Sequence, residues 1–199
     1  MSNAFLDAMM ARRSIYAIGK NLSLSEDHIA ALVKQAVKQS PSSVNSQSSR
    51  VVVLFGKQHE KLWDIVKETL RKIVPAESFA ATESKLASFA AGVGTVLFYE
   101  DTKVIDVLQK QFVAYADNFP VWSEHSTGIA QFAVWSTFAQ EHIGATLQHY
   151  NPLIDDQVRA QWQLPASWKL RAQMPFGSIE QSAAEKTFIS DEERFRIFR

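Results

Sequence analysis

Pro41-Ser42-Ser43-Val44-Asn45-Ser46-Gln47-Ser48-Ser49-Arg50 runs without a break into Val51-Val52-Val53-Leu54-Phe55. The second half, rich in β-branched residues and closed by Gly56, predicts a buried strand over Arg50 to Phe55. The first half crowds hydroxyl and amide groups onto the strand entrance. Such a stretch serves equally as an ordinary polar loop and as a surface that reads a polar heterocycle at the mouth of an open sheet. A second polar stretch, Arg12-Arg13-Ser14, follows a short apolar segment. Two cations there complement a helix dipole. They also form, with the Ser14 hydroxyl, a bidentate grip for phosphate.

Outward from these stretches the chain reads mainly as helix. Ser2 or Asn3 caps a helix to about Ala11, and Ser25 caps a second whose stripe is Ile29, Leu32, Val33, Ala36 and Val37, stopped by Pro41. A third helix spans Gln58 to Val74, and a fourth Glu77 to Ala91. Gly92-Val93-Gly94 then precedes a strand over Thr95 to Glu100. Asp101 or Thr102 caps a helix to about Asp117. After the loop Asn118 to Trp122, Ser123 caps a long helix to His142 that is apolar nearly all round, as suits the middle of a fold or a subunit interface. Ala145 to Gln148 is extended, Asn151-Pro152 turns, Ile154 to Gln163 is helical, and Trp168 to Phe176 alternates as a third strand. Glu192 to Arg199 is a strand or an arm. The class is α+β (mixed α/β) in a single domain over 1–199, with a C-terminal arm from about residue 178.

Composition narrows the function. Of 199 residues, 21 are Lys or Arg and 21 Asp or Glu, so the formal charge is zero. A balanced surface argues against nucleic-acid binding and polybasic membrane docking. Absence of cysteine excludes disulfides, thiolate metal sites and thiol catalysis. No stretch is long and apolar enough for a membrane span. Met1 to Arg13 carries Asp7 and lacks the apolar run of a secretory leader, so the expected location is the cytoplasm. Thirteen Phe and five Trp are more bulk than a solitary 199-residue chain hides easily, which points to an oligomer. The histidines lack metal-site spacing. Gly92-Val93-Gly94 leads into a strand and lacks the third glycine of a dinucleotide fingerprint. No phosphate loop or nucleophile elbow is present. His149, beside Gln148, reads as structural or functional, and Lys186 as an ordinary surface charge.

Three pieces, in this order, resemble the nitroreductase-like flavoproteins: Arg12-Arg13-Ser14-Ile15-Tyr16, Pro41-Ser42-Ser43-x-Asn45-x-Gln47, and Gly144-Ala145-x-x-Gln148-His149-Tyr150-Asn151-Pro152. The likeness is to the small branch named for a fatty-acid-repression mutant protein. It implies a central mixed sheet flanked by helices, an intertwined homodimer, and FMN at the subunit interface. By this resemblance Arg12, Arg13 and Ser14 hold the FMN phosphate and ribityl chain. Ser43, Asn45 and Gln47 contact the flavin, in part from the partner subunit. Gln148 and His149 lie near the isoalloxazine, Tyr16 beside the cofactor, and Lys186 reaches the phosphate. Many larger relatives have a basic residue at the position of Tyr16 and Pro-Trp at Ser48-Ser49.

A bound flavin carries the redox chemistry, which accounts for a chain without an acid, base or nucleophile constellation. The expected activity is NAD(P)H oxidation coupled to reduction of a quinone or nitroaromatic in a ping-pong cycle. Phe119 and Trp122 are candidate aromatic walls for the small aromatic acceptor, or core. Two other readings stand beside it: a flavin-binding redox or lipid-stress regulatory protein with little turnover, and a dimeric scaffold without cofactor.

Overall fold

The structure is a computed structural model that describes residues 3–199; Ser2, one of the two expected caps, lies outside the described residues. Asn3 opens α1 (Ala4–Ala11) by accepting the Phe5 and Leu6 amides. After β1 (Ile18–Gly19), Ser25 caps α2 (Glu26–Gln39) through the His28 amide. A 3-10 turn over Ser43–Asn45 leads to β2 (Ser49–Phe55). Then follow α3 (Gly56–Arg71), α4 (Phe79–Ala90), β3 (Gly94–Asp101) and α5 (Thr102–Gln111). The chain continues through α6 (Phe119–Gln140), β4 (Gly144–Ala145), α7 (Asp155–Gln161), β5 (Trp168–Ile179) and the single turn α8 (Asp191–Arg194).

The sheet runs β1-β5-β3-β2, with β4 on β5 as well. Its ladders are antiparallel; a parallel pairing comes from the isolated bridge of Ser14 to Ala145. β3 is central and buried on both faces, so its run reads as continuously apolar. Leu97 and Tyr99 pack on one side with Leu62, Trp63, Val66 and Phe89. Val96 and Phe98 pack on the other with Ile29, Val33, Val134 and Phe138. Alternation along one strand thus separates two cores, α3, α4 and α7 on one face, α2 and α6 on the other. A bulge between Phe98 and Tyr99 leaves Arg171 of β5 unmatched, since Phe98 pairs with Ala172 and Tyr99 with Leu170. Gly177 lets β5 pass close to the ends of β1 and of the turn before β3: a Cβ there would stand 2.2 Å from the Gly19 carbonyl oxygen and 3.1 Å from the Gly92 Cα.

Several boundaries depart from the sequence pattern. The helix after Asp101 stops at Gln111, because Phe112 (φ −120°, ψ 66°) breaks it and Val113–Asn118 continues as 3-10 turns. Ser123 is not a cap. The long helix starts at Phe119 with Pro120 in its first turn, where a missing N–H costs nothing, and the Ser123 hydroxyl donates to the Pro120 carbonyl. α3 begins at Gly56 and ends at Arg71 rather than Val74. The strand expected to end at Phe176 continues to Ile179, because β1 supplies it a partner. Glu192 to Arg199 holds part of one helical turn, with no strand. No helix among the described residues is long and apolar enough to cross a membrane.

Candidate functional site

α1 delivers Arg12 and Arg13 to the sheet edge. The Ile15 amide donates to the Ala145 carbonyl at 2.9 Å, which fixes the segment beside β4. Trp135 of α6 reaches the same carbonyl with its indole N–H at 3.1 Å. The indole face then lies 4.5 Å from the Arg12 guanidinium carbon, a cation–π contact that sets the direction of the fork. Arg13 donates to the Ala184 carbonyl of the C-terminal segment. These residues, with Ser14, Tyr16, Gln181 to Glu185 and Lys186, line a cleft of about 480 Å³.

The electrostatics of this cleft are lopsided. Arg12, Arg13 and Lys186 take part in no ion pair among the described residues. Burial, and then the neighbouring Arg13, lower the Arg12 pKa. Two guanidinium groups held together without a carboxylate partner are stabilised by a bound anion, and the planar fork matches phosphate oxygens. Tyr16 is 52% exposed and stands 6.2 Å from the Phe89 ring, so an aromatic surface borders the cationic one. Tyr150 packs edge-on to Trp63, and burial raises its hydroxyl pKa to about 12.

The polar stretch that precedes β2 lies in a different cleft. Val44, Asn45 and Gln47 have φ of 47°, 53° and 46°, the left-handed region that non-glycine residues avoid, a β-branched valine most of all. The Gln47 amide donates to the Ser42 hydroxyl at 2.9 Å. Ser42 and Gln47 border a separate cleft of about 240 Å³ with Ser49, Arg50 and Ser126. Ser43 is half-buried and Asn45 exposed.

Gln148 is buried: its backbone pairs with Gln173 at 2.7 and 2.8 Å, and its amide donates to Thr146. His149 is exposed and borders a third, polar cavity of about 270 Å³ with Glu124, Gln131, Asn151 and Arg171. Phe119 is 2% exposed, between Phe112 and Trp122; Trp122 is half-buried. One chain therefore brings together Arg12, Arg13, Ser14, Tyr16 and Lys186. It keeps Ser43, Asn45 and Gln47 apart from them, and His149 faces another cavity.

Sequence reasoning alone does not single out Arg171, which pairs with Glu124 and has a buried Nε with no partner; the bulge that aims it is set by β3–β5 register. Arg50, paired with Asp101 at 3.1 Å, escapes it too. Glu100 carried a signal, a carboxylate at the end of the apolar run Val96 to Tyr99.

Comparison with known proteins shows the family and the fold. The nitroreductase family model matches residues 9–178. Nitroreductase FRM2 of Saccharomyces cerevisiae is 31% identical over 189 residues, 94% of each chain. Nitroreductase CinD of Lactococcus lactis, solved in complex with chloramphenicol, is 46% identical with a TM-score of 0.90, covering 98% of this chain and 100% of its own. A Desulfovibrio desulfuricans protein solved in complex with FMN shares the fold at 17% identity and a TM-score of 0.72, covering 100% of this chain and 99% of its own. The chain belongs to the nitroreductase family, in the branch of the fatty-acid-repression mutant protein.

Proposed function

We propose that this oxidoreductase is FMN-dependent and works as a homodimer. The observation that carries the reading is the pair of guanidinium groups, Arg12 and Arg13, held in one cleft and in no ion pair among the described residues. Arg12 and Arg13 hold the phosphate, Ser14 Oγ donates a neutral hydrogen bond to it, and Lys186 closes over it from the C-terminal arm. Trp135 keeps the Arg12 fork in place before the ligand arrives, which reduces the ordering that binding must impose. Tyr16 provides an aromatic edge.

Ser43, Asn45 and Gln47 contact the flavin ring across the subunit boundary, a placement favoured by their distance from the phosphate cleft within one chain. Gln148 and His149 border the isoalloxazine. Homodimer formation is supported by exposed apolar side chains: Phe5, Leu6 and Met10 on α1, Ile129 on α6, and Phe188, Ile189, Ile197 and Phe198 on the arm. Trp122 walls the acceptor pocket, with Phe119 beneath it at 5.2 Å. Bound FMN supplies hydride chemistry, with NAD(P)H as donor and a quinone or nitroaromatic as acceptor in a ping-pong cycle. A cysteine-free chain fits the cytoplasm, where nicotinamide nucleotides are at hand.

The test is the visible spectrum of the purified protein, followed by anaerobic addition of NADH or NADPH and then a nitroaromatic. A flavin spectrum that bleaches with nucleotide and returns with acceptor is expected. A protein that binds no added FMN, or bound flavin that neither nucleotide reduces, refutes the proposal.

A further inference from the structure

Glu100 ends the buried run of β3 and is 1% exposed. It pairs in register with Ser49 of β2. Both its oxygens are used: Oε2 accepts from the Ser48 hydroxyl at 2.6 Å and Oε1 from the Ser49 hydroxyl at 2.5 Å. Its neighbour Asp101 takes up the same segment. The Asp101 amide donates to the Ser48 carbonyl at 3.0 Å, and its carboxylate pairs with Arg50. Arg50 in turn donates to the Gln47 carbonyl. Two adjacent carboxylates on β3 thus tie down Gln47, Ser48, Ser49 and Arg50, immediately after the left-handed residues Val44, Asn45 and Gln47.

Backbone held at positive φ in non-glycine residues persists only where surrounding contacts over-determine it. The Ser42–Gln47 hydrogen bond closes the loop upon itself but does not attach it to the sheet. Glu100 does. Burying a carboxylate costs desolvation that its hydrogen bonds must offset. Its advantage is direction, because two charge-assisted hydrogen bonds fix two consecutive hydroxyls in one orientation.

We propose that Glu100 is a positioning residue for the 42–47 loop: by holding the Ser48 and Ser49 hydroxyls it sets the backbone that presents Ser43, Asn45 and Gln47 to the flavin. This rests on the proposal that the loop contacts FMN. Glu100 touches no ligand itself and acts through the loop.

The experiment measures the FMN dissociation constant and the visible circular dichroism of bound FMN in Glu100→Leu, Glu100→Gln and Asn45→Ala, with thermal unfolding of each apoprotein. Leucine fills the space and removes both acceptors. Glutamine keeps two hydrogen bonds, because a serine hydroxyl can accept from its amide. The expected result is an apoprotein of Glu100→Leu that still folds, with the loss of stability that buried hydroxyls without an acceptor impose, FMN binding weakened about tenfold, an altered flavin signal, and recovery of most of both binding and signal in Glu100→Gln.

Wild-type affinity and spectrum in Glu100→Leu, with Asn45→Ala weakened, overturn the positioning role and leave the loop contact standing. Equal loss in the leucine and glutamine variants overturns it as well, since the hydrogen bonds would then not matter. Wild-type binding in Asn45→Ala, and in a Ser43→Ala/Asn45→Ala/Gln47→Ala variant, removes the loop contact and the proposal with it. If Glu100→Leu does not fold, Ser48→Ala/Ser49→Ala takes its place: the same loss supports the role, and unchanged FMN binding overturns it.

Discussion

Lowering the pH from 7 to 4.5 should unfold this protein partly through one buried imidazole. His59 of α3 is fully buried. One ring nitrogen, Nε2, faces the Ala90 carbonyl at 3.2 Å; the other, Nδ1, faces the Thr95 hydroxyl at 2.8 Å. A carbonyl only accepts, so Nε2 carries the proton and Nδ1 accepts from Thr95. Thr95 Oγ1 in turn accepts from the Trp63 indole at 3.1 Å. Every proton in the network has a place, and a second proton on the ring would face the Thr95 hydroxyl with nothing to receive the one displaced. Burial accordingly lowers the His59 pKa from 6.5 to about 4.

The unfolded chain then binds the proton first as pH falls. Stability from this group is complete above about pH 6.5 and is lost progressively down to about pH 4. A gap of that size corresponds to roughly 3 kcal/mol at 1.36 kcal/mol per unit. Other groups titrate in the same range, so the quantity to measure is a difference. Urea unfolding of the wild-type apoprotein and of His59→Gln, from pH 7 to pH 4.5, isolates it. Glutamine keeps one donor and one acceptor but does not titrate. Wild-type stability should fall more steeply than that of the variant by roughly 2 kcal/mol or more over this range. Parallel pH profiles for the two proteins would refute the claim that burial holds His59 neutral in the folded protein.

Two further outcomes test the packing and the assembly. Gly177→Ala drives a Cβ to 2.2 Å from the Gly19 carbonyl oxygen, backbone that cannot swing aside, and should lower the unfolding free energy by about 3 kcal/mol as read by urea titration; a loss under about 0.5 kcal/mol contradicts that close approach. Deletion of residues 187–199 removes the exposed Phe188, Ile189, Phe195, Ile197 and Phe198 and should convert the proposed dimer to a monomer in sedimentation equilibrium, where the full chain is expected at dimer mass; a dimer mass for both would place the interface elsewhere.

Helices with a capping residue and a clear stripe were legible residue by residue. Asn3 and Ser25 cap as side-chain chemistry dictates, and the Val51 to Phe55 run can be little else but strand. Illegible features are those that depend on the partner element. β1 is two residues long and exists because β5 passes beside it. The bulge at Arg171 is a mismatch between two strands, invisible in either. The left-handed backbone at Val44 contradicts local preference, and local conflict of that kind gathers at functional sites. Ser123 illustrates a competing signal: a good capping residue lost to the Phe119-Pro120 start four residues earlier. At the site, Arg12-Arg13-Ser14 is visible because two planar forks and a hydroxyl in sequence match phosphate oxygens, although a helix dipole accounts for the cations equally well. Lys186 joins them only through the fold of the arm, and the gap between this cleft and the 42–47 loop is a fact of three dimensions.

The central claim is that the Arg12, Arg13 and Lys186 cleft holds the phosphate of FMN. Titration of the apoprotein with FMN and with riboflavin, for wild type and Arg12→Ala, tests it most directly, because the two ligands differ only in that phosphate. Wild type should prefer FMN by at least about 100-fold, and Arg12→Ala should shrink the preference by about tenfold or more while leaving riboflavin affinity unchanged. Equal affinity of the wild-type protein for FMN and riboflavin would contradict the account.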